Sequence, residues 1–280
     1  MAGQDPALGL DAGGQCRCGG EGHDARLAEL RHHVVICNLN PMVRAIVDEL
    51  LDDPRQRVPA VVLLVQDMAL WSEHPEWQPA PRHGDRVVVL GGCSLEERCF
   101  SRSGLARSQA ALILADPRQG ELADARSTLL AMAIERHSRD VHTVVELQWS
   151  VNRAHLEATE VDEVVCMGDL SEKLLAQCCI TPGVKRIFER LLGGQGSSTR
   201  WQLPVLPGSC VGQSYRQVVQ RSIAEGWPCV LCGFVPQPPE GEAPQFILNP
   251  RPREEPGKDS VLQARDRLIV MAQGEAQLPG

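Results

Sequence analysis

The stretch HHVVICNLNPMVRAIVDELL, residues His32–Leu51, decides the fold, because it combines a buried strand, a tight turn and an amphipathic helix. A Rossmann domain begins with these elements in this order. Where a G-x-G-x-x-G fingerprint would place three glycines, this chain has Asn38, Asn40 and Val43. The glycines serve the tight turn, the approach of the backbone to a pyrophosphate and close helix–strand packing. The sequence therefore supports the fold more strongly than it supports a bound dinucleotide.

The turn itself can survive without glycine. Asparagine tolerates a positive φ angle better than most residues, so Asn38 can occupy the tight turn. We expect Asn38, Leu39 and Asn40 to form the phosphate-facing part of a binding site, with the two side-chain amides as donors. Val43 cannot replace glycine where close approach is needed.

Composition excludes several classes of protein. The chain has 280 residues, of which 43% are hydrophobic, enough for one large domain or two modest ones. The net charge of −8 and the lack of a Lys/Arg run argue against nucleic acid as a partner. The 11 cysteines are scattered through apolar segments with no signal peptide before them, which predicts reduced thiols and a cytoplasmic location. No apolar run approaches the ~20 residues that span a bilayer.

Strands and helices alternate from His32 to Leu192, which predicts a doubly wound parallel sheet in an α/β fold. The continuous apolar run from Ala60 to Val65 is typical of a strand that is covered on both faces. The segment from Met68 to Asp85 is predicted to be a loop. We expect its two tryptophans, Trp71 and Trp77, to contact a neighbouring subunit or to fold over the pocket.

The pattern divides the chain further. Residues 1–24 are predicted to be a disordered tail, 25–168 the Rossmann-like domain and 169–192 a helical segment. Residues 193–199 form a linker, 200–273 a small α+β subdomain and 274–280 a tail. Within the subdomain, Cys229 and Cys232 form a CxxC, but side chains three apart in a strand face opposite sides. Core packing is therefore favoured over redox chemistry for this pair.

The order of these blocks resembles the RCK family, regulators of potassium conductance that are also called KTN domains (TrkA-N plus TrkA-C type). The resemblance rests on HVVICNLNPMVRAIVDEL (33–50), GGCSLEERCFSRSGLARSQAALILAD (91–116), GDLSEKLLAQCCITPGVKRIFERLL (168–192), LPVLPGSCVGQSYRQVV (203–219) and DRLIVMA (266–272). It implies crossover helices that clasp a second subunit, and homodimers that assemble into an octameric gating ring. The ring would lie at the inner face of the membrane beneath a potassium channel or transporter.

Three candidate positions surround the predicted cleft. Asp67 ends the second strand, where an acid can bond a ribose hydroxyl of NAD(H) or an adenine nucleotide, or can simply cap a turn. Its separation from the first turn exceeds the usual ~20 residues, because of the insertion between Asp52 and Pro59. Gly92 and Cys93 either line an adenine pocket or form a turn.

A divalent cation is the second ligand that the resemblance suggests. In some calcium-gated relatives, carboxylates at the ends of the fourth and fifth strands bind the ion, and Asp116 and Glu146 match those positions. The further acid expected two residues later is Gln148 in this chain. Since Ca²⁺ requires several oxygen ligands, the lost carboxylate weakens the site or removes it. The alternative is that both acids stabilise helix N-termini at the edge of the sheet.

Three functional classes remain open at this point. A ligand-sensing gating module without catalysis is favoured. A scaffold with an empty cleft is the main alternative, because the turn lacks the three glycines of the fingerprint. A nicotinamide-dependent dehydrogenase is disfavoured, because the fingerprint is broken and the small subdomain carries no paired acid and base. The sequence leaves open the ligand, the pore protein and the direction of gating. It also leaves open whether the chain is a separate subunit or a part of a channel.

Overall fold

The computed structural model describes residues 26–53, 57–91, 97–157, 159–192, 199–239, 244–250, 260–276 and 278. The chain divides into two compact units between Lys173 and Leu174. The expected N-terminal tail, Gly92 and Cys93, and linker residues 193–198 lie outside the described residues. Among the helices that are described, none has the length and apolar character needed to cross a membrane.

A six-stranded sheet forms the centre of the first unit. Its strands run in the order β3-β2-β1-β4-β5-β6, and every neighbouring pair is parallel. The predicted doubly wound sheet is therefore confirmed. The strands are β1 (Val34–Cys37), β2 (Val61–Val65), β3 (Val87–Gly91), β4 (Ala110–Ile113), β5 (His142–Leu147) and β6 (Glu163–Cys166).

Apolar layers cover both faces of this sheet. Val35 and Cys37 of β1 belong to one core cluster, whereas Val34 and Ile36 belong to the other. Because successive side chains of a strand point to opposite faces, β1 must be apolar throughout. The helices of the chain are α1 (Val43–Leu51), α2 (Met68–Glu73), α3 (Glu97–Ser103), α4 (Leu122–His137), α5 (Met167–Ile180), α6 (Val184–Leu192) and α7 (Tyr215–Ala224).

The segment between β2 and β3 corrects the prediction of a loop. It contains α2 and two short 3₁₀ helices, Pro75–Trp77 and Pro81–Arg86, each with a proline in its first turn. Trp71 and Trp77 are each only 6% exposed and pack in the core cluster that also contains α1. The two indoles are therefore part of the core, where neither can serve as a lid or an intersubunit contact.

The second unit contains a four-stranded antiparallel sheet in the order β7-β10-β8-β9. One helix, α7, covers it and begins with a capping box formed by Ser214 and Gln217. Val218 of α7 packs with Phe234 and Leu268 of the sheet. This arrangement confirms the predicted small α+β subdomain. Its strands are β7 (Thr199–Gln202), β8 (Cys229–Val235), β9 (Ile247–Leu248) and β10 (Arg267–Gln273).

Two expectations about cysteines need correction. A bulge interrupts β8, since Leu231 pairs with Val270 and Gly233 with Ile269, so simple alternation does not relate Cys229 to Cys232. Cys99 is disulfide-bonded, which contradicts reduced thiols at that position. Disulfide formation depends on tertiary proximity, which the spacing along the chain does not reveal. The free cysteines among the described residues are Cys37, Cys166, Cys178, Cys179, Cys210, Cys229 and Cys232.

Candidate functional site

Asn40 accepts two backbone N–H groups in the turn after β1. Asn38 adopts a φ of +63°, as expected for an asparagine that replaces glycine in a tight turn. The Asn40 side-chain oxygen accepts the Met42 N–H at 2.9 Å, and the Asn40 carbonyl accepts the Val43 N–H at 3.1 Å. Pro41 has no N–H. The Met42 and Val43 N–H groups are thus already bonded within the turn.

The two asparagine side chains tie this turn to the end of β4. Asn38 Nδ2 donates to the Leu114 carbonyl at 3.0 Å, and Asn40 Nδ2 donates to the Ala115 carbonyl at the same distance. Leu39 is only 5% exposed and packs in the core. Both asparagine side chains thus donate inside the protein, and a phosphate site at Asn38, Leu39 and Asn40 stays a prediction.

A cavity of about 520 Å³ opens at the carboxyl edge of the sheet. Its size falls within the ~300–1,000 Å³ range of small-molecule sites. Two of the predicted residues, Asp67 after β2 and Asp116 after β4, both belong to its lining. Ligands of doubly wound sheets bind at this edge, where the strand order reverses. The described lining residues are Gln66, Asp67, Met68, Ala69, Asp116, Arg118 and Gln119.

Asp67 is exposed and caps α2. Its Oδ1 accepts the N–H groups of Ala69 at 3.0 Å and Leu70 at 3.1 Å. The turn-capping alternative is therefore realised. Both bonds use one oxygen, so Oδ2 can still accept a hydroxyl from a ligand in the cavity.

Asp116 forms a two-pronged ion pair with Arg118. Arg118 Nε and Nη2 each donate to a different Asp116 oxygen at 2.7 Å, and Gln119 Nε2 adds a bond of 3.2 Å. Burial alone would raise the pKa of Asp116, but these donors outweigh it and hold that pKa below its usual range. The Arg118 guanidinium also lies 5.5 Å from the centre of the Trp77 ring. Arg118 is thus held at the cavity wall from two sides.

Glu146 bonds two neighbouring segments at the carboxyl edge of the sheet. Its Oε2 accepts the Ala115 N–H and the Asn40 Nδ2 group, each at 3.0 Å. Burial raises the pKa of Glu146, and these two bonds offset only part of that effect. Among the described residues, no group of three or more His, Cys, Asp or Glu side chains could hold a metal ion. The donors of Arg118 and Gln119 occupy both oxygens of Asp116, and Glu146 Oε2 is bonded as well, so a calcium site at these two residues stays a prediction.

Residues 29–145 match the family described as the calcium-activated potassium channel slowpoke-like RCK domain. The matched residues include β1 to β4, most of β5, the asparagine turn and every described residue of the cavity lining. These residues form an RCK domain. The RCK family consists of channel regulatory domains and not of enzymes, so the dehydrogenase alternative is excluded.

Relatives of this RCK domain include ion channels. The probable ion channel POLLUX of Oryza sativa subsp. japonica is 25% identical over 199 residues, which are 69% of this chain and 19% of that protein. The calcium-gated potassium channel TvoK of Thermoplasma volcanium is 23% identical over 159 residues, 55% of this chain and 42% of that protein. The human SLO3 gating ring shares the fold, with a TM-score of 0.62 and 16% identity over 86% of this chain and 44% of that one. The chain spans less than half the length of each relative.

The sequence patterns do not predict several features of the RCK domain. Arg118 and Gln119 line the cavity, and the position of Arg118 two residues after Asp116 is a signal for an ion pair. Asp124 is only 2% exposed and accepts the Gln148 and Trp149 N–H groups, which fixes the end of β5. No spacing rule relates Asp124 to that segment.

The helices α4, α5 and α6 each expose several large apolar side chains. On α4 of the RCK domain, Leu122, Leu129 and Met132 are each more than half exposed. The two helices that follow β6, α5 and α6, contain no buried residue at all. Exposed apolar faces of this kind mark surfaces that pack against a partner. The exposed apolar residues of α5 and α6 are Met167, Leu170, Leu175, Ile180, Ile187, Phe188 and Leu192.

Proposed function

We propose that this chain is a ligand-sensing regulatory module that controls potassium transport through a membrane channel or transporter. The RCK domain, with a polar-lined cavity at the carboxyl edge of its sheet, is the observation that carries this proposal. The module acts in the cytoplasm at the inner face of the membrane, where it binds the pore protein. A ligand in the cavity shifts gating only if it binds two conformations of the module with different affinities.

The charges of the cavity define the class of ligand. Its described lining has two carboxylates, Asp67 and Asp116, against one guanidinium, Arg118, which is already paired. This balance opposes a pyrophosphate, and the Met42 and Val43 N–H groups of the turn after β1 are already bonded within the protein. We therefore assign the cavity to a neutral or cationic ligand with hydroxyl donors, such as a nucleoside whose ribose bonds Asp67. NAD(H) and adenine nucleotides bind more weakly, and Ca²⁺ binds only if Asp116 leaves Arg118.

The exposed helices supply the assembly surfaces. The apolar faces of α5 and α6 pack against a second copy to form a homodimer, as in the crossover implied by the family resemblance. The apolar side chains of α4 join dimers into an octameric ring. Burial of such faces stabilises association by roughly 25 cal/mol for each Å² of apolar surface, before the entropic cost of association is subtracted.

Thermal unfolding of the chelator-treated chain tests the sensor. The ligands are adenosine, AMP, ADP, ATP, NAD, NADH and Ca²⁺, each added separately. A ligand at a hundred times its dissociation constant adds about 2.7 kcal/mol, which for this size is roughly 5–10 °C in Tm. We expect a shift with adenosine that Asp67→Asn removes and that Glu49→Gln, an exposed acid outside the cavity, preserves.

A ligand-free scaffold is the second candidate. Its support is the turn after β1, where Asn38 and Asn40 use their amides inside the protein. In this case the ring transmits contacts from a partner, and the cavity stays empty. The absence of any Tm shift across the ligand series would favour the scaffold over the sensor.

A further inference from the structure

A stack of planar side chains ends at the cavity on the carboxyl edge of the sheet. The His74 imidazole lies parallel to the Trp77 indole, with 4.0 Å between the ring centroids and 5° between the planes. The Arg118 guanidinium lies over the same indole, with its Cζ atom 5.5 Å from the ring centroid. Since the imidazole occupies one face of the indole, the guanidinium lies against the other. Trp77 is only 6% exposed, so the indole is a fixed support for Arg118.

Asp116 fixes the plane of this guanidinium. Arg118 Nε and Nη2 donate to the two Asp116 oxygens, so the carboxylate occupies one edge of the group and leaves its flat faces uncovered. The ion pair also compensates the charge of Arg118, so Arg118 offers the cavity a planar surface and not a free charge. Arg118 lines the cavity with a side chain that is 44% exposed, which makes the face opposite Trp77 accessible to a ligand.

Two other lining residues suit an aromatic ring that carries hydroxyl groups. Met68 supplies a polarizable thioether, which makes favourable contacts with aromatic rings. Asp67 uses Oδ1 to cap α2, and its Oδ2 can accept a ligand hydroxyl. A ring stacked on Arg118 and a hydroxyl bonded to Asp67 fix two parts of one small molecule in the cavity.

We propose that Arg118 is a specificity-determining residue of this cavity, and that the exposed face of its guanidinium stacks on a planar heteroaromatic ring of the ligand. This role rests on the proposed function, because it concerns the same cavity. A guanidinium plane stacks on aromatic rings and attracts their π-faces, whereas a lysine ammonium is a compact point charge. The ligand class is thereby narrowed from a hydroxyl donor in general to a heteroaromatic ring that carries hydroxyl groups.

Calorimetry on the full chain with two probes tests the role of Arg118. The probes are adenosine and methyl β-D-ribofuranoside, which has ribose hydroxyls but no planar base. Arg118→Lys is the test variant, because lysine keeps a positive charge beside Asp116 but has no plane. Arg136→Lys, at an exposed arginine outside the described lining, is the matched control. Thermal unfolding of each variant shows whether it is folded.

The preference for the probe with a base is the quantity to measure. We expect the unmodified chain and Arg136→Lys to bind adenosine at least ~5-fold more tightly than methyl β-D-ribofuranoside, the lower end of what base stacking contributes. Arg118→Lys should lose this preference without weaker binding of methyl β-D-ribofuranoside. A variant that is merely destabilised would weaken the binding of both probes alike.

Asp67→Asn separates the role of Arg118 from the proposed function, because both probes carry ribose hydroxyls and should bind this variant more weakly. If Asp67→Asn weakens both probes but Arg118→Lys keeps the preference for adenosine, stacking on Arg118 is overturned and the sensing cavity stands. A preference that depends on Arg118 but not on Asp67 supports the stacking and removes the hydroxyl contact. Equal binding of both probes to the unmodified chain, or no binding of either, overturns the stacking without any variant, and the proposed function then depends on the remaining ligands of the thermal series.

Discussion

The side-chain amide of Asn40 lies 3.0 Å from the carboxylate of Glu146, although the two residues are 106 positions apart. The same Glu146 oxygen accepts the Ala115 N–H. One carboxylate oxygen therefore joins the turn after β1, the end of β4 and the end of β5. Hydrogen bonds therefore connect three segments at the carboxyl edge of the RCK domain, where a glycine-rich turn would leave room for a pyrophosphate.

Removal of the Glu146 carboxylate should destabilise the domain more than its neutralisation does. Glu146→Ala leaves Asn40 Nδ2 with one acceptor fewer and the Ala115 N–H unpaired, so we expect a loss of about 1–3 kcal/mol in the free energy of unfolding. Glu146→Gln retains an acceptor oxygen and should lose less. Denaturant unfolding at pH 7 measures both, and equal losses would contradict this role of the acceptor.

Glu146 should also make stability depend on pH. Because its folded pKa is raised above the ordinary value of 4.5, the folded state binds more protons than the unfolded state in that interval. The contribution of Glu146 to stability is therefore greatest below pH 4.5 and declines as pH rises from there through the raised pKa. Glu146→Gln should remove this decline. An identical pH profile of the free energy of unfolding in both proteins would refute the assignment.

Asn38 should be replaceable by glycine more easily than by alanine. Both variants lose the bond to the Leu114 carbonyl, but only alanine must also adopt a φ near +63° with a Cβ atom. The left-handed conformation costs a non-glycine residue roughly 1–2 kcal/mol. We expect Asn38→Ala to be less stable than Asn38→Gly by about 1 kcal/mol in denaturant unfolding. Equal stabilities would show that the turn does not require the positive φ.

Loss of Arg118 should weaken the domain only while Asp116 is ionised. The ion pair holds the pKa of Asp116 below its ordinary value, so its stabilisation is present above that value and is lost as pH falls through the folded pKa. Since Arg118 is nearly half exposed, we expect Arg118→Gln to cost about 1 kcal/mol at pH 7. Arg136→Gln is the control. A cost that persists at low pH would point to the Trp77 contact instead of the ion pair.

An acidic substitution on α6 should disrupt the dimer. Phe188 is 39% exposed on a helix with no buried residue, so Phe188→Asp places a charge in the proposed interface. Arg186→Asp changes the charge on the same helix without removing an apolar side chain. Sedimentation velocity should detect monomers for Phe188→Asp and dimers for both Arg186→Asp and the unmodified chain. If Phe188→Asp remains dimeric, α6 does not form the interface.

Local patterns predicted the framework of the fold. The run from His32 to Leu51 predicts β1 and α1, and the helical segment predicted over 169–192 corresponds to α5 and α6. The prolines of the segment that contains Trp71 and Trp77 predict a loop, whereas the burial of the two indoles requires ordered structure.

The sequence predicts fewer of the hydrogen bonds at the carboxyl edge of the sheet. Asp67 and Asp116, each predicted from its position at the end of a strand, line one cavity because parallel strands bring their carboxyl ends together. The bond of Asn40 to Glu146 depends on the alignment of β1 with β4 and β5, which no local pattern encodes. For the same reason, the sequence does not predict that the Asn38 side-chain amide donates to the Leu114 carbonyl.

Calorimetric titration of adenosine and ADP into the full chain tests the central claim most directly. Asp67→Asn retains a helix-capping side chain but removes the charge from the cavity, so the variant should stay folded. We predict saturable binding of adenosine, weaker binding of ADP, and at least a ~10-fold loss of adenosine affinity in Asp67→Asn. Tighter binding of ADP than of adenosine, or no binding of either ligand, would contradict a cavity that selects hydroxyl donors over phosphates.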